Sequence, residues 1–388
     1  MKSLKNLNFE KIQNVGVRVD FNVPVDKNSR ITDKTRLERS KETINFLKDK
    51  KCNIFLISHL GRPKKNFDEK YSFLKFIEQF EEILELKLNF ISYDSFLENG
   101  LNQNLNKSDI YLLENIRFFE GEIKNDLSFS QSITSKLDLY VNEAFSASHR
   151  HHSSVDQMAK NILSAPGFNF EREILAINDI KKSQKKKLAI IGGSKISTKI
   201  KTLLTLTSSC SDIFIGGAMA NNFFKYNKIN IGCSLIEDGA ESMIEMIYKS
   251  AKLSGCNIHL PKDVMLDSNQ NILVSELSKS SDFKILDISA TSHIHLEKLI
   301  SKSDIVLWNG PMGMIEENKF SKGSINLVHL LAKAHADVVI GGGDTILAIN
   351  MAGEKFENFY FVSTAGGAFL EALEDKELPG VEALKADL

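Results

Sequence analysis

The sequence predicts an α/β protein of two domains, each a parallel β-sheet flanked by helices. Three observations carry that prediction. The chain has 388 residues, beyond the roughly 250 to 300 at which a single hydrophobic core stops growing. Short apolar runs of strand length alternate with segments long enough for helices, the pattern of parallel sheets with helical crossovers. The alternation breaks near the middle, at Ala165-Pro166-Gly167, and resumes at Leu188.

In the first half the strand-like runs are residues 15–21, 54–58, 110–113 and 139–141. Between the first two, residues 34–50 read as a helix, with Leu37, Ile44 and Leu47 on one face. A helical stretch at 171–182 follows the break and leads into the basic run 181–187. Without interleaved aromatic residues that run reads as a solvated helix end or connector and not as a nucleic-acid patch. The second half adds strand-like runs at 188–191, 213–215, 305–308, 338–340 and 359–362. The domain boundary is therefore expected near Pro166, dividing residues 1–165 from 166–377.

Composition narrows the class of function. Hydrophobic residues make up 42% and charged residues 26% of the chain, close to globular averages. With 49 basic and 50 acidic side chains the formal net charge is -1, so no global field draws the molecule to nucleic acid or membrane, and any anion site must be local. Cys52, Cys210, Cys233 and Cys256 are far apart and form no CxxC pair, which points neither to a zinc cage nor to a redox pair. The opening residues lack the apolar stretch of a signal peptide, no run of about 18 apolar residues offers a membrane span, and a cytosolic location is expected.

In open parallel sheets ligands collect where strands end at their carboxyl termini. The strand ends of the first half carry Asp20 and Asn22, His59 and Arg62, Arg117, and, beyond the run at 139–141, Arg150. Guanidinium forks match phosphate and carboxylate oxygens, so Arg36, Arg62, Arg117 and Arg150 together can enclose a small, multiply charged anion. His59 either donates to a phosphate or satisfies a backbone carbonyl. The histidines at 149, 151 and 152 lack the acidic or cysteine neighbours of a metal site.

The strand ends of the second half read Gly192-Gly193-Ser194-Lys195 with Lys199, Gly216-Gly217, Asn309-Gly310-Pro311, Gly341-Gly342-Gly343-Asp344-Thr345 and Ala365-Gly366-Gly367. Glycine after a strand lets backbone N-H groups close around phosphate oxygens. Lys195 and Lys199, four apart, are expected on one face of a following helix, and Asp344 is a candidate magnesium ligand. Neither the GxxxxGK[ST] loop nor a GxGxxG opening is present, which weakens P-loop kinase and dinucleotide dehydrogenase readings.

In order along the chain, VDFNVP, SHLGRP, LLENIRF, HRHHSS, GGSK, WNGPMG, GGGDT and PGVEAL resemble the phosphoglycerate kinase family over essentially the whole length. That resemblance implies two Rossmann-like lobes with a deep cleft and a hinge. The first would hold 3-phosphoglycerate or 1,3-bisphosphoglycerate and the second MgADP or MgATP, with residues 378–388 packed back on the first lobe. It implies that Asp20 and Asn22 meet the glycerate hydroxyl and acid end, and that Arg36 reaches the carboxylate and the transferring phosphoryl. His59, Arg62, Arg117 and Arg150 would hold the distal phosphate. Lys195 and Lys199 would serve the nucleotide phosphates beside Asn309, Gly343 and Thr345, with Gly193, Ser194, Gly217 and Glu316 around the nucleoside. Asp344 would contact magnesium, and the Gly366 and Gly367 amides would join Arg36 and Lys199 in catalysis. A monomer is expected.

Three residues depart from the family pattern: Ala365 for glycine, Ser194 for alanine and Glu143 for aspartate. Ala365 requires a negative φ at its position, and the consequence of Glu143 is open. The chemistry needs no general base, because a carboxylate nucleophile is already ionised at neutral pH. The alternatives are a non-catalytic nucleotide sensor or RNA-binding protein on a degenerate kinase fold, and a nicotinamide dehydrogenase. The first predicts missing charged groups, yet Arg36, Lys199 and Asp344 are all present.

Overall fold

A computed structural model of the chain describes residues 1–64, 67–99, 108–277, 282–374 and 376–385. It separates into two compact units, Met1–Leu175 with Lys376–Leu388, and Ala176–Asp375.

The first unit is built on β1 (Asn14–Arg18), β2 (Asn53–Ile57), β3 (Asn89–Ile91), β4 (Ile110–Leu113), β5 (Leu139–Asn142) and β6 (Ser164–Pro166). They pair in the order β3-β4-β2-β1-β5-β6, every pair parallel. A parallel sheet is covered on both faces, which is why its strands are nearly continuous apolar runs. Val15, Val17, Ile54, Leu56, Leu112 and Val141 pack into one core with Leu37, Ile44 and Leu47 from the helix Thr35–Asp49.

The division between units falls ten residues later than the expected boundary, after Leu175 in place of Ala165. Ser164–Pro166 is not a linker: it pairs with β5 from Tyr140↔Ser164 to Asn142↔Pro166. Phe168 and Phe170, at the start of the helix Phe168–Lys182, are buried, and Phe168 belongs to the first core. The helix therefore begins in one unit and continues into the other. In the basic run that follows, Lys185 pairs with Asp337 at 3.0 Å and Lys187 Nζ donates to the Ser183 carbonyl at 2.6 Å.

The second unit holds β7 (Lys187–Ile191), β8 (Asp212–Ile215), β9 (Asn257–His259), β10 (Asp263–Leu266), β11 (Asn271–Leu273), β12 (Ile285–Ile288), β13 (Ile305–Asn309), β14 (Asp337–Gly341) and β15 (Phe361–Ser363). A parallel sheet runs β15-β14-β13-β7-β8-β9, and a small antiparallel sheet runs β11-β10-β12. Leu188, Ile190, Val306, Trp308, Val338 and Ile340 form the core with Leu327, Leu331, Ile346 and Ile349 from flanking helices.

The short helix Pro379–Ala383 belongs to the first unit, where Gly380 N–H donates to the Ser148 carbonyl at 3.0 Å. Among the described residues no helix is long and apolar enough to cross a membrane.

Candidate functional site

In each parallel sheet the strand order reverses beside the strand that comes first in sequence, between β1 and β5 and between β7 and β13. Loops leaving such a switch point diverge and open a crevice at the carboxyl ends of the strands. The candidate residues lie in loops at the carboxyl ends of the strands, several of them beside these two places.

In the first unit the backbone after β1 is fixed by Ser58, whose hydroxyl donates to the Val19 carbonyl at 2.7 Å and accepts from Phe21 N–H at 2.9 Å. Asp20 is thereby presented at the crevice. Arg36 Nη1 reaches its Oδ2 at 2.9 Å and also donates to the Asn22 carbonyl at 3.0 Å. Asn22 Oδ1 accepts from Gly61 N–H at 2.9 Å, which ties this loop to the turn carrying Arg62. Arg117 is buried and braces the same turn through a 2.5 Å bond from Nη1 to the Gly61 carbonyl. Arg62 itself is exposed.

His59 is buried, and its Nδ1 faces Arg18 Nη2 at 2.9 Å. A guanidinium only donates, so Nδ1 accepts and the imidazole is neutral with its proton on Nε2. Burial, and then the charges of Arg18 and Arg150, push its pKa well below the usual range. Nε2 is buried without a hydrogen-bond partner, so the backbone carbonyl considered for His59 is not found in the described structure. Arg150 is half-buried, and its pKa is pressed down by burial and then by the like charges of Arg18, Arg62 and Arg36. Cations held within reach of one another, with Asp20 opposing them at Arg150, make a place where an anion relieves repulsion.

Two contributors escaped the sequence reading. Arg18 is almost fully buried and ends β1. Its Nε donates to Ser154 Oγ at 2.9 Å, and that hydroxyl donates at 2.7 Å to Glu122, which also accepts from Ser154 N–H. The signal was its spacing: residues 18, 20 and 22 alternate toward one side of an extended chain. Ser146, beyond β5, donates to Asp20 Oδ2 at 2.5 Å across the switch point. Nothing local in the sequence marks it.

In the second unit the loops after β7, β8 and β13 interlock. Gly192 N–H donates to Asn309 O at 2.9 Å, Gly193 N–H to Pro311 O at 3.2 Å, and Gly217 N–H to Met312 O at 3.2 Å. Beside them lies a pocket of about 380 Å³ whose wall includes Gly193, Ser194, Gly217, Leu235, Glu316 and Asp344. Both polar groups and apolar side chains such as Phe224 and Met312 line it, as a nucleoside requires.

Lys199, Asn309 and Thr345 form a cluster at the same switch point. Lys199 Nζ donates to Asn309 Oδ1 at 2.6 Å and to the Gly192 carbonyl at 2.8 Å. Burial pushes its pKa down to about 8, against the opposing pull of Asp344. Thr345 is fully buried; its hydroxyl accepts from Gly310 N–H at 2.9 Å and donates to the Gly341 carbonyl at 3.0 Å. It holds the loop together through that hydroxyl.

The expectation that Lys195 and Lys199 share a helix face is overturned. The helix starts only at Ile200, and both lysines lie in the preceding turn, closed by Lys199 N–H to the Ile196 carbonyl at 2.8 Å. Within that turn Ile196 is buried, and Lys199 Nζ is drawn inward to Asn309 Oδ1 and the Gly192 carbonyl. Lys195 is exposed. Gly343 and Asp344 open the helix Gly343–Ala352. Gly366, at φ 52°, and Gly367 lie past β15, two strands from β13 in the sheet order. The left-handed residue is thus Gly366, and Ala365 is not among the positive-φ residues described, as its side chain demands.

The model of the phosphoglycerate kinase family matches residues 4–376. A phosphoglycerate kinase of Wolbachia sp. subsp. Drosophila simulans (strain wRi) is 37% identical over 383 residues, covering 96% of each chain. One from Campylobacter fetus subsp. fetus (strain 82-40) is 37% identical over 394 residues, covering 98% of each. The solved phosphoglycerate kinase of Coxiella burnetii superimposes with a TM-score of 0.86 at 31% identity, covering 99% of this chain and 98% of that one.

Proposed function

The chain belongs to the phosphoglycerate kinase family, and from that premise we propose how its residues divide the reaction. The enzyme is a phosphotransferase with a carboxyl acceptor, moving a phosphoryl group between 1,3-bisphosphoglycerate and ADP to give 3-phosphoglycerate and ATP. The observation that carries the division is the difference between the two switch points. One gathers arginines around Asp20, and the other gathers glycine loops, Lys199 and a mixed pocket.

In this reading the first unit binds the phosphoglycerate. Arg62, Arg117, Arg150 and the His59 Nε2–H hold its distal phosphate, Asp20 and Asn22 orient the hydroxyl end, and Arg36 faces the reacting carboxylate. The second unit binds the nucleotide, with Gly193, Ser194, Gly217 and Glu316 around the nucleoside. Lys195, Lys199 and Gly343 face the phosphates, Asn309 orients Lys199, and Thr345, fully buried, supports the loop from behind. Asp344 suits magnesium: it is one exposed carboxylate in the pocket wall, and magnesium is commonly held by one or two carboxylates plus phosphate oxygens and water. Bound magnesium would supply positive charge to the phosphate oxygens.

The nucleophile needs no base, so the protein's work is to offset repulsion between anions and to stabilise charge on the equatorial oxygens of the moving phosphoryl. Arg36, Lys199 and the Gly366 and Gly367 amides are assigned that role. In-line transfer between substrates held by separate units calls for closure that excludes water. Small-angle scattering with both substrates bound is expected to show compaction, and its absence would count against closure. A cytosolic monomer without nucleic-acid or membrane partners completes the proposal.

The direct test is a coupled assay with 3-phosphoglycerate and MgATP on the wild type, Arg36→Ala and Lys199→Ala. Each substitution is expected to cut turnover severely with the far-ultraviolet circular dichroism unchanged. Near-normal turnover in both would defeat the assignment.

A further inference from the structure

We propose that Glu237 is a positioning residue for the nucleotide, holding the turn between Lys195 and Lys199 and joining it to the apolar wall of the pocket. The inference rests on the nucleotide-site reading above.

Both oxygens of the Glu237 carboxylate engage one residue of that turn. Ser197 N–H donates to Oε2 at 3.0 Å, and the Ser197 hydroxyl donates to Oε1. Ser197 lies midway between the two lysines in sequence. These bonds, the hydroxyl's first, hold the Glu237 carboxyl below its usual range, with smaller contributions from Ile196 N–H and the Lys195 charge.

The same residue is anchored from the opposite side. Glu237 N–H donates to Asn222 Oδ1 at 2.8 Å, and Asn221 Nδ2 donates to the Leu235 carbonyl at 3.1 Å. Both asparagines are buried on the helix Met219–Tyr226, whose first N–H reaches the Gly193 carbonyl at 2.8 Å. Leu235 lines the pocket while being 62% exposed. The segment 235–237 is therefore a strap between pocket wall and phosphate turn, and Glu237 is the point at which the two are joined.

Electrostatics gives the idea a sign. A carboxylate beside a polyphosphate site repels the ligand. If Glu237 acted only through its charge, removing it would tighten nucleotide binding. If it acts by holding Ser197, removing it weakens binding, because the turn that carries the lysines loses its brace.

The experiment uses the full-length enzyme as wild type, Glu237→Ala, Glu237→Gln, Ser197→Ala and the Glu237→Ala/Ser197→Ala double variant. It measures KM for MgATP, KM for 3-phosphoglycerate and ADP affinity by calorimetry. Loss of a hydrogen-bonded carboxylate is expected to weaken ADP and raise KM for MgATP about 5- to 10-fold, with KM for 3-phosphoglycerate within about twofold. The double variant should lose no more than the worse single variant, since both remove one interaction. Glu237→Gln, which keeps one acceptor, should fall between wild type and Glu237→Ala.

Unchanged or tighter ADP binding in Glu237→Ala overturns the inference, as do losses that multiply in the double variant. So does an equal rise in both KM values, the mark of general damage. Failure of the wild type to bind ADP overturns the nucleotide-site reading and this inference with it. Normal wild-type binding with an indifferent Glu237→Ala overturns this inference alone.

Discussion

Ser146 Oγ and Asp20 Oδ2 meet at 2.5 Å across the switch point of the first sheet, on the same carboxylate oxygen that Arg36 Nη1 reaches at 2.9 Å. The hydroxyl fixes the acid that in turn aims the guanidinium. Losing one hydrogen bond to a charged group, discounted for a site partly open to water, is expected to lower kcat/KM for 3-phosphoglycerate about fivefold in Ser146→Ala. Asp20→Asn should cost more, because Arg36 loses its ionic partner. KM for MgATP should stay at the wild-type value in both, and steady-state kinetics with each substrate varied in turn checks the split.

Lys199 offers a pH signature. Its pKa is pushed down to about 8 by burial, so its charge is present below that pH and is lost as pH rises through it. Nucleotide phosphates favour the charged form, and binding near pH 8 must therefore draw a proton onto the amine. Calorimetry of ADP binding at that pH, in buffers of different ionisation enthalpy, is expected to report uptake of a fraction of a proton that disappears in Lys199→Ala. Above pH 8 the ADP affinity of the wild type should fall. Buffer-independent heats would show that Lys199 does not titrate there.

Much of the second site was legible because its chemistry is local. Gly193, Gly217 and Asp344 each follow a strand, and a glycine or acid in that place is visible in a string of letters. The turn carrying Lys195 and Lys199 differs from its sequence reading for a physical reason: a spacing of four marks a helix face only if a helix is present, and the helix begins at Ile200. In the first site the arginines were visible, but what orients them was not. Arg18 looks like a strand residue, and its partners Ser154 and Glu122 meet it only through tertiary packing. That Pro166 closes an edge strand was hidden in the same way, since a proline can end an edge strand as readily as begin a linker.

Gly217 separates backbone strain from ligand chemistry. It sits at φ 63°, and a Cβ there would lie 2.6 Å from Gly193 N and 2.8 Å from Pro311 O. Backbone atoms cannot swing aside as a side chain does, so Gly217→Ala is expected to destabilise by about 1–3 kcal/mol. Gly343→Ala is the control: a Cβ there meets nothing within 4 Å, and its φ is not left-handed. Thermal denaturation should show a lowered Tm for Gly217→Ala and an unchanged one for Gly343→Ala, and any other pattern would contradict the geometry.

Glu143 and Gly167 are fitted to each other. The carboxyl of Glu143 is buried, accepts from Asn169 N–H at 3.1 Å, and lies where a side chain on Gly167 would go: a Cβ there would be 1.8 Å from Oε2. Burial pushes the Glu143 pKa up to about 8. A carboxyl whose folded pKa is raised contributes most to stability below its unfolded pKa of about 4.5, and that contribution is lost as pH rises toward 8. Glu143→Gln, permanently neutral, should therefore flatten the decline of Tm between pH 5 and 8. Gly167→Ala should destabilise by about 1–3 kcal/mol through overpacking. Shortening the acid withdraws the clashing oxygen, so Glu143→Asp/Gly167→Ala should be more stable than the sum of the two single losses, a coupling that residues in contact show and distant ones do not. Urea unfolding of the four proteins in this cycle measures it, and strict additivity would mean that the two positions do not share the space the structure assigns them.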